Sequence, residues 1–332
     1  MDTGTQAPRL TQEQIDLAVR LEGIFMPHAR AQRDKFIRDP DARFVHYTSA
    51  EAAIKIIRSK RIWMRNTNCM ADYSEVQHGF NILNRFFDSE ANRKTFIEAL
   101  DTCAPGAAQE AIDVVQKTWR DIRFDTYITS ISEHDKIEDS HGRLSMWRAG
   151  SGNVRVGMVF KIPHFSQAAV TLNLLFSPVA YLSEEAAHKV VADVVTNVRT
   201  NRDFLCGLDR PIVVNYTFLM LLAGLTCLKH EGFREEKEWR AVYAPNRWPA
   251  PLMESSTEVI GGVPQVIYKI PLDGTVSESV ADLDLSRIVE RVIVGPSPYP
   301  WPIYEAFVAE LKKLGIGDAA DRVHISGIPI RV

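Results

Sequence analysis

Arg43-Phe44-Val45-His46-Tyr47-Thr48-Ser49-Ala50-Glu51 is the stretch on which the reading of this chain turns. Arg43 to His46 forms a short strand after the breaker Asp39-Pro40-Asp41. Thr48-Ser49-Ala50-Glu51 then has the form of a capping box, in which the Thr hydroxyl and Glu carboxylate satisfy the opening N–H groups of a helix. That helix carries Ala53, Ile54 and Ile57 on one face, and Arg61 to Arg65 follows as a strand with Ile62 and Met64 on one side and Trp63 on the other. Such a junction sets polar side chains at a strand end beside N–H groups that favour anions. An ordinary strand-to-helix turn, with a core aromatic and a satisfied histidine, uses the same residues.

Working outward, residues 1 to about 10 are expected to be disordered, and Thr11-Gln12-Glu13-Gln14 opens a helix. Ser74-Glu75-Val76-Gln77 resembles a second capping box, ahead of Val76, Phe80, Leu83 and Phe87 at helical spacing. Residues 88 to about 121 read as helical, interrupted at Pro105-Gly106. Thr126 to Ser132 and Val154 to Ile162 read as strands. Helices fill most of 164 to 230, around a strand at Val179 to Leu182. The last third returns to strands at Trp239–Tyr243, Gln265–Ile270, Val289–Val294 and Val323–Ile325, with a helix over Tyr304–Leu314. Strands spread through both halves predict an α+β fold, one mixed sheet wrapped by helices. Residues 1–40 read as a helical N-terminal extension and 41–332 as a single domain with a helical insertion around 164–230.

The composition is that of an ordinary globular chain: 332 residues, 45% hydrophobic and 24% charged. A net charge of -3, from 39 basic and 42 acidic residues, carries no whole-chain signature of a nucleic-acid or membrane binder, although it leaves room for a local patch. Cys69, Cys103, Cys206 and Cys227 lie far apart, with no zinc spacing and no disulfide framework. Met1-Asp2-Thr3-Gly4 lacks the start of a signal peptide. Ile212 to Leu228 is apolar but shorter than the roughly 20 residues that span a bilayer, and it contains Asn215, Thr217, Gly224 and Thr226. The expectation is a cytoplasmic protein with no membrane partner.

Three further segments could carry chemistry. In Gly232-Phe233-Arg234-Glu235-Glu236-Lys237-Glu238-Trp239-Arg240, a strand beginning near Glu236 would project Glu236, Glu238 and Arg240 to one face. A carboxylate there suits a sugar hydroxyl or a developing cation, whereas a solvated edge strand needs no ligand. Trp147 in Leu144-Ser145-Met146-Trp147-Arg148 is a platform for a base or nicotinamide ring, or a core residue. His134, Asp135, Glu138, Asp139 and His141 match no metal-ligand spacing and read as a polar loop, so no metal is expected. Arg58, Lys60, Arg61 and Arg65 suit a pyrophosphate, a nucleic-acid backbone or a solvated helix end.

Several segments carry a family resemblance, in this order: Phe44-Val45-His46-Tyr47-Thr48-Ser49, Arg61-Ile62-Trp63-Met64, Met70-Ala71-Asp72-Tyr73-Ser74-Glu75 and Ser130-Ile131-Ser132-Glu133. Leu144-Ser145-Met146-Trp147, Gly157-Met158-Val159-Phe160, Glu236-Lys237-Glu238-Trp239-Arg240 and Val292-Ile293-Val294-Gly295-Pro296 follow. Together they resemble the bacterial domain-of-unknown-function family twenty-nine seventy-one, whose label names no activity. More distantly, His46-Tyr47-Thr48-Ser49 with Ile57-Arg58-Ser59-Lys60-Arg61-Ile62 is similar to the opening of ADP-ribosyltransferases: a His-Gly-Ser or His-x-Thr strand end, a helix and a second strand.

That second resemblance implies an ADP-ribosyltransferase-like fold and NAD as substrate. It implies transfer of ADP-ribose to a protein or nucleic acid, or NAD glycohydrolysis, in bacterial stress or phage defence. His46 would hold a ribose, the Tyr47 main chain the nicotinamide amide, and Glu238 would direct catalysis with Glu236 completing a Glu-x-Glu pair. The phosphates would lie near Arg65 or the helix after Thr48, with Trp147 and Arg240 also lining the site. Tyr73, or Thr129 with Ser130, would supply the second-strand motif, and Tyr47 stands where that superfamily often has glycine. The same residues also fit a non-enzymatic nucleotide- or protein-binding module. A third fit is a phosphoryl or nucleic-acid-processing enzyme using His46, Arg61, Arg65 and Arg240.

Overall fold

The computed structural model describes residues 10–70, 75–148, 155–162 and 166–329. Its strands are β1 (Arg43–Ser49), β2 (Arg61–Asn66), β3 (Tyr127–His134), β4 (Arg155–Phe160), β5 (Leu175–Pro178), β6 (Ala180–Tyr181), β7 (Leu228–Lys229), β8 (Glu238–Tyr243), β9 (Glu254–Ile260), β10 (Val263–Pro271), β11 (Val289–Val294) and β12 (Val323–Ile325). Ten of them form one sheet, running β12-β11-β4-β1-β3-β2-β10-β9, with β8 against β3 and β5 against β8. The β11–β12 pair is parallel and the other pairs of this sheet are antiparallel, so the fold is α+β around a mixed sheet. β6 and β7 form a separate parallel pair.

Both faces of the sheet are covered. On one, Phe44, Met64, Ile131, Met158, Phe160, Trp239 and Ala241 pack with the helices Ala50–Ser59 and Pro300–Lys313 through Ala53, Ile57, Phe307 and Leu311. Phe44 stacks on Phe36 at 4.3 Å and meets Trp239 edge-on at 5.3 Å. Such pairs contribute about 0.5–1.5 kcal/mol each beyond burial. On the other face, Val45, Tyr47, Val159 and Ile293 pack with Trp147, while Ile128 and Val242 meet Cys227.

Cys227 caps the helix Arg210–Thr226, which belongs to a second, helical core. Leu21 and Phe25 of Gln12–Phe25, Phe96 of Glu90–Asp101, Val194 and Val198 of Glu184–Thr200, and Phe218 share that core. Two glycines let its helices touch: a Cβ at Gly79 would overlap the Gly224 carbonyl. Apolar all round, Arg210–Thr226 is a buried helix, and no helix among the described residues is long and apolar enough to cross a membrane.

Local details depart from the sequence expectation. β1 runs three residues further, so Thr48 stays in the strand, and Ser49 caps the helix by accepting from Ala52 N at 3.1 Å. Glu51 pairs with Lys55 at 2.8 Å instead of completing a capping box. β5, β7 and β9 were not expected; β9 alternates Glu254, Ser256 and Glu258 with Ser255 and Thr257, a polar edge strand with little apolar signal. The expected capping box at Ser74-Glu75 falls partly outside the described residues.

Candidate functional site

The site begins at a fork in the sheet. β8 lines one edge of β3 from Tyr127 to Ser132. β1 and β2 therefore share the other edge, β1 at Ser132–His134 and β2 at Tyr127–Ile128. Residues 129–131 have no strand partner there among the described residues. His46, one residue past the last β1–β3 pair, closes this gap: its Nδ1 lies 2.9 Å from the Ser130 carbonyl oxygen. A carbonyl only accepts, so Nδ1 carries the proton and Nε2 is left as an acceptor. Burial drives the His46 pKa down, the Ser130 carbonyl raises it and the Arg155 charge lowers it again; the result lies below the ordinary value, so the ring is neutral. A neutral ring with a free acceptor suits a ligand hydroxyl.

Glu238 lies on the far side of Ser130. The pairs Ser132–Glu238 and Ser130–Arg240 place these four side chains on one face, opposite Ile131 and Trp239. Glu238 is 6% exposed. Arg240 Nε donates to its Oε1 at 2.8 Å, while Arg240 Nη2 and Lys229 Nζ donate to Oε2 at 3.2 and 3.1 Å. Burial pushes this carboxyl up, but the Arg240 and Lys229 charges, with the hydrogen bonds from Arg240, outweigh it and bring the pKa to about 2. Tyr181 of the β6–β7 pair accepts from Glu238 N at 2.8 Å. Glu238 is therefore a fixed, permanently ionised carboxylate and cannot shuttle a proton near neutrality.

The start of β8 corrects one expectation. Glu236 lies in a 3-10 turn, Glu231–Glu236, and Lys237 turns the backbone left-handed at φ 44. Glu236 is thus outside the strand alternation. Its carboxylate nevertheless meets Lys229 Nζ at 2.6 Å, so one ammonium ties Glu236 to Glu238.

Other expected residues serve packing. Trp147 is 6% exposed, donates from Nε1 to the His141 carbonyl and packs edge-on to Tyr47 at 4.9 Å, over Gly157 and Gly295. It is a core residue and offers no platform to a ligand. Tyr47 pairs along β4 with Gly157, and its buried hydroxyl accepts from Arg143 N at 2.7 Å. Arg65 of β2, paired with Ile128 of β3, donates to Gln265 and to the Cys69 carbonyl. Arg58 and Arg61 are taken up by Glu310 and Glu254. His134 is buried against Asp139, and no group of three metal-ligating side chains is found among the described residues. Tyr73 lies outside the described residues, while Thr129 and Ser130 lie on β3.

Three residues of the site escaped the sequence reading: Lys229, Tyr181 and Arg155. Lys229 and Tyr181 lie in two-residue strands too short for a periodic signal. Arg155 gave one, as a cation opening an otherwise apolar strand. Two cavities flank the helix Pro27–Arg38, near the start of β1. One, of about 600 Å³, lies among Phe36, Phe44, Phe176 and Arg287. The other, of about 410 Å³, reaches Glu133, Tyr181, Trp239 and Glu238.

The chain matches no protein-family model, no curated protein and no solved structure.

Proposed function

We propose that the protein is an ADP-ribosyltransferase-like enzyme of the domain-of-unknown-function family twenty-nine seventy-one, acting on NAD. The observation that supports this reading is the joint at Ser130, whose carbonyl His46 holds and whose β8 partner Arg240 binds the Glu238 carboxylate. The motif histidine and the late-strand glutamate thus come to either side of one residue of β3, although about 190 residues of chain separate them. Breaking the bond between nicotinamide and ribose develops positive charge on the sugar. A carboxylate that stays ionised beside it stabilises that charge without moving a proton. Neutral His46, with Nε2 as acceptor, orients a ribose hydroxyl. The acceptor for ADP-ribose is a macromolecule or water. Isothermal titration with NAD and with ADP-ribose tests ligand occupancy. Wild type should bind both and His46→Ala should bind each at least tenfold more weakly; equal affinity in the variant would remove His46 from the site.

A second reading is favoured by a specific observation: both oxygens of Glu238 are already engaged by Arg240 and Lys229. In that case the network is structural and the fork is a binding module, which would bind NAD without releasing nicotinamide.

A further inference from the structure

The large sheet ends at β9, and the backbone of that strand is half used. β9 and β10 are joined by Gly261 and Gly262, whose φ angles of 60 and 81 suit the two-residue turn that closes a hairpin on a hydrogen-bonded pair. That pair is Ile260–Val263, so Ile260, Glu258, Ser256 and Glu254 turn their N–H and C=O groups toward β10. Pro264, which has no N–H to give, falls opposite Val259 on the alternate position, where the hairpin asks for none. The N–H and C=O groups of Ser255, Thr257 and Val259 therefore point out of the sheet. All three residues are exposed, and no backbone partner for them is found among the described residues.

Free edges are ordinarily guarded by Lys, Pro, a bulge or an uncompensated charge. β9 has no Lys, no Pro and an unbroken register with β10. Its carboxylates are neutralised within the chain, Glu254 by Arg61 at 2.9 Å and Glu258 by Lys269 at 3.2 Å. Beside the edge, Val259 and Val266 are 62% and 46% exposed, and strand alternation puts both on one face of the hairpin with Thr257 and Pro264.

A second copy of the same strand meets these groups. Set antiparallel about a two-fold axis at Thr257, Ser255 lies opposite the partner's Val259, and every outward N–H finds a C=O. Glu254 then faces the partner's Ile260 and Glu258 the partner's Ser256, so no carboxylate stands directly opposite another. Ser255 pairs with Tyr268 inside the chain, and Thr257 with Val266. Each Val259 thus reaches across a serine toward the partner's Tyr268, while the two Thr257 side chains lie between the two Val266 side chains. An axis at Ser255 or at Val259 would leave part of the edge unpaired.

We propose that the chain forms a two-fold dimer by pairing β9 with β9 of a second copy, joining the two sheets into one. The contact is isologous, so it closes both edges and does not propagate.

Sedimentation equilibrium of the full chain over a range of concentrations tests this. Wild type should pass from monomer to dimer as concentration rises, with no larger species. Thr257→Pro removes an N–H that the hairpin does not use, and should stay monomeric with the far-UV circular dichroism of wild type. Thr257→Lys sets two ammonium groups face to face on the axis and should dimerise at least tenfold more weakly. In a Cys206→Ser background, Thr257→Cys should link the two copies by a disulfide on mild oxidation. Ser255→Cys, distant from its own copy in this register, should not. A wild type that stays monomeric up to about 1 mM, the weak end of specific association, would overturn the proposal. So would a dimer undiminished by Thr257→Pro and Thr257→Lys, or linking of Ser255→Cys as readily as Thr257→Cys.

Discussion

His46 Nδ1 and the Ser130 carbonyl, 2.9 Å apart, join β1 to β3 at the point where the two strands part. The bond needs a proton on Nδ1, and burial keeps the ring from taking up a second one. The folded pKa lies below the unfolded value of about 6.5, so between the two the unfolded chain binds more protons. This stability contribution is complete above about pH 6.5 and declines as pH falls toward the folded value. Urea denaturation across that range should show stability falling with acidity. His46→Gln should flatten the slope without abolishing it, because His28, His134 and His324 are shifted in the same direction.

Glu238 titrates lower. Its carboxyl falls from about 4.5 in the unfolded chain to about 2 in the fold, worth about 3 kcal/mol. That stability is present above about pH 4.5 and lost as pH falls through about 2. Glu238→Gln should lose this acid-sensitive component and be less stable at neutral pH by about 3–5 kcal/mol, since it leaves Arg240 and Lys229 buried beside a neutral amide. Lys229→Met combined with Glu238→Gln should cost less than the sum of the two single changes in chemical denaturation.

Tyr47→Phe should cost about 1–3 kcal/mol, because it removes the hydroxyl that accepts the buried Arg143 N–H and leaves that donor unpaired. The Tyr47 hydroxyl itself stays protonated, burial being the main cause of a pKa raised to about 12. NAD affinity should change little, since Tyr47 supports Trp147 and Arg143 and not the fork.

Gly79→Ala should destabilise the helical core by about 1–3 kcal/mol, as the new methyl group forces Glu75–Asp88 away from Arg210–Thr226. Thermal melting should report it, with the fork intact in the folded fraction.

What the sequence made legible follows from where its signals are local. The strand-to-helix junction at His46, the alternation of Ile62, Trp63 and Met64, and the apolar helix ending at Thr226 are written in neighbouring residues, and each forms. The partners of Glu238 are not written there. Lys229 and Tyr181 come from two-residue strands, and Arg155 faces Ser49 only through β1–β4 pairing. Trp147 reads as platform or core from sequence, because a tryptophan near polar residues gives no sign of burial; the close approach that Gly157 and Gly295 permit makes it core. Glu236 left the strand because Lys237 adopts a left-handed backbone, which an alternation argument cannot foresee.

Free nicotinamide, followed by chromatography after incubating the purified protein with NAD, tests the central claim most directly. The comparison is wild type against Glu238→Gln and His46→Ala, each checked to melt above the assay temperature. The account predicts release by wild type and loss of release in both folded variants. Release by folded Glu238→Gln at the wild-type rate, or no release by wild type together with no binding of NAD, would contradict it.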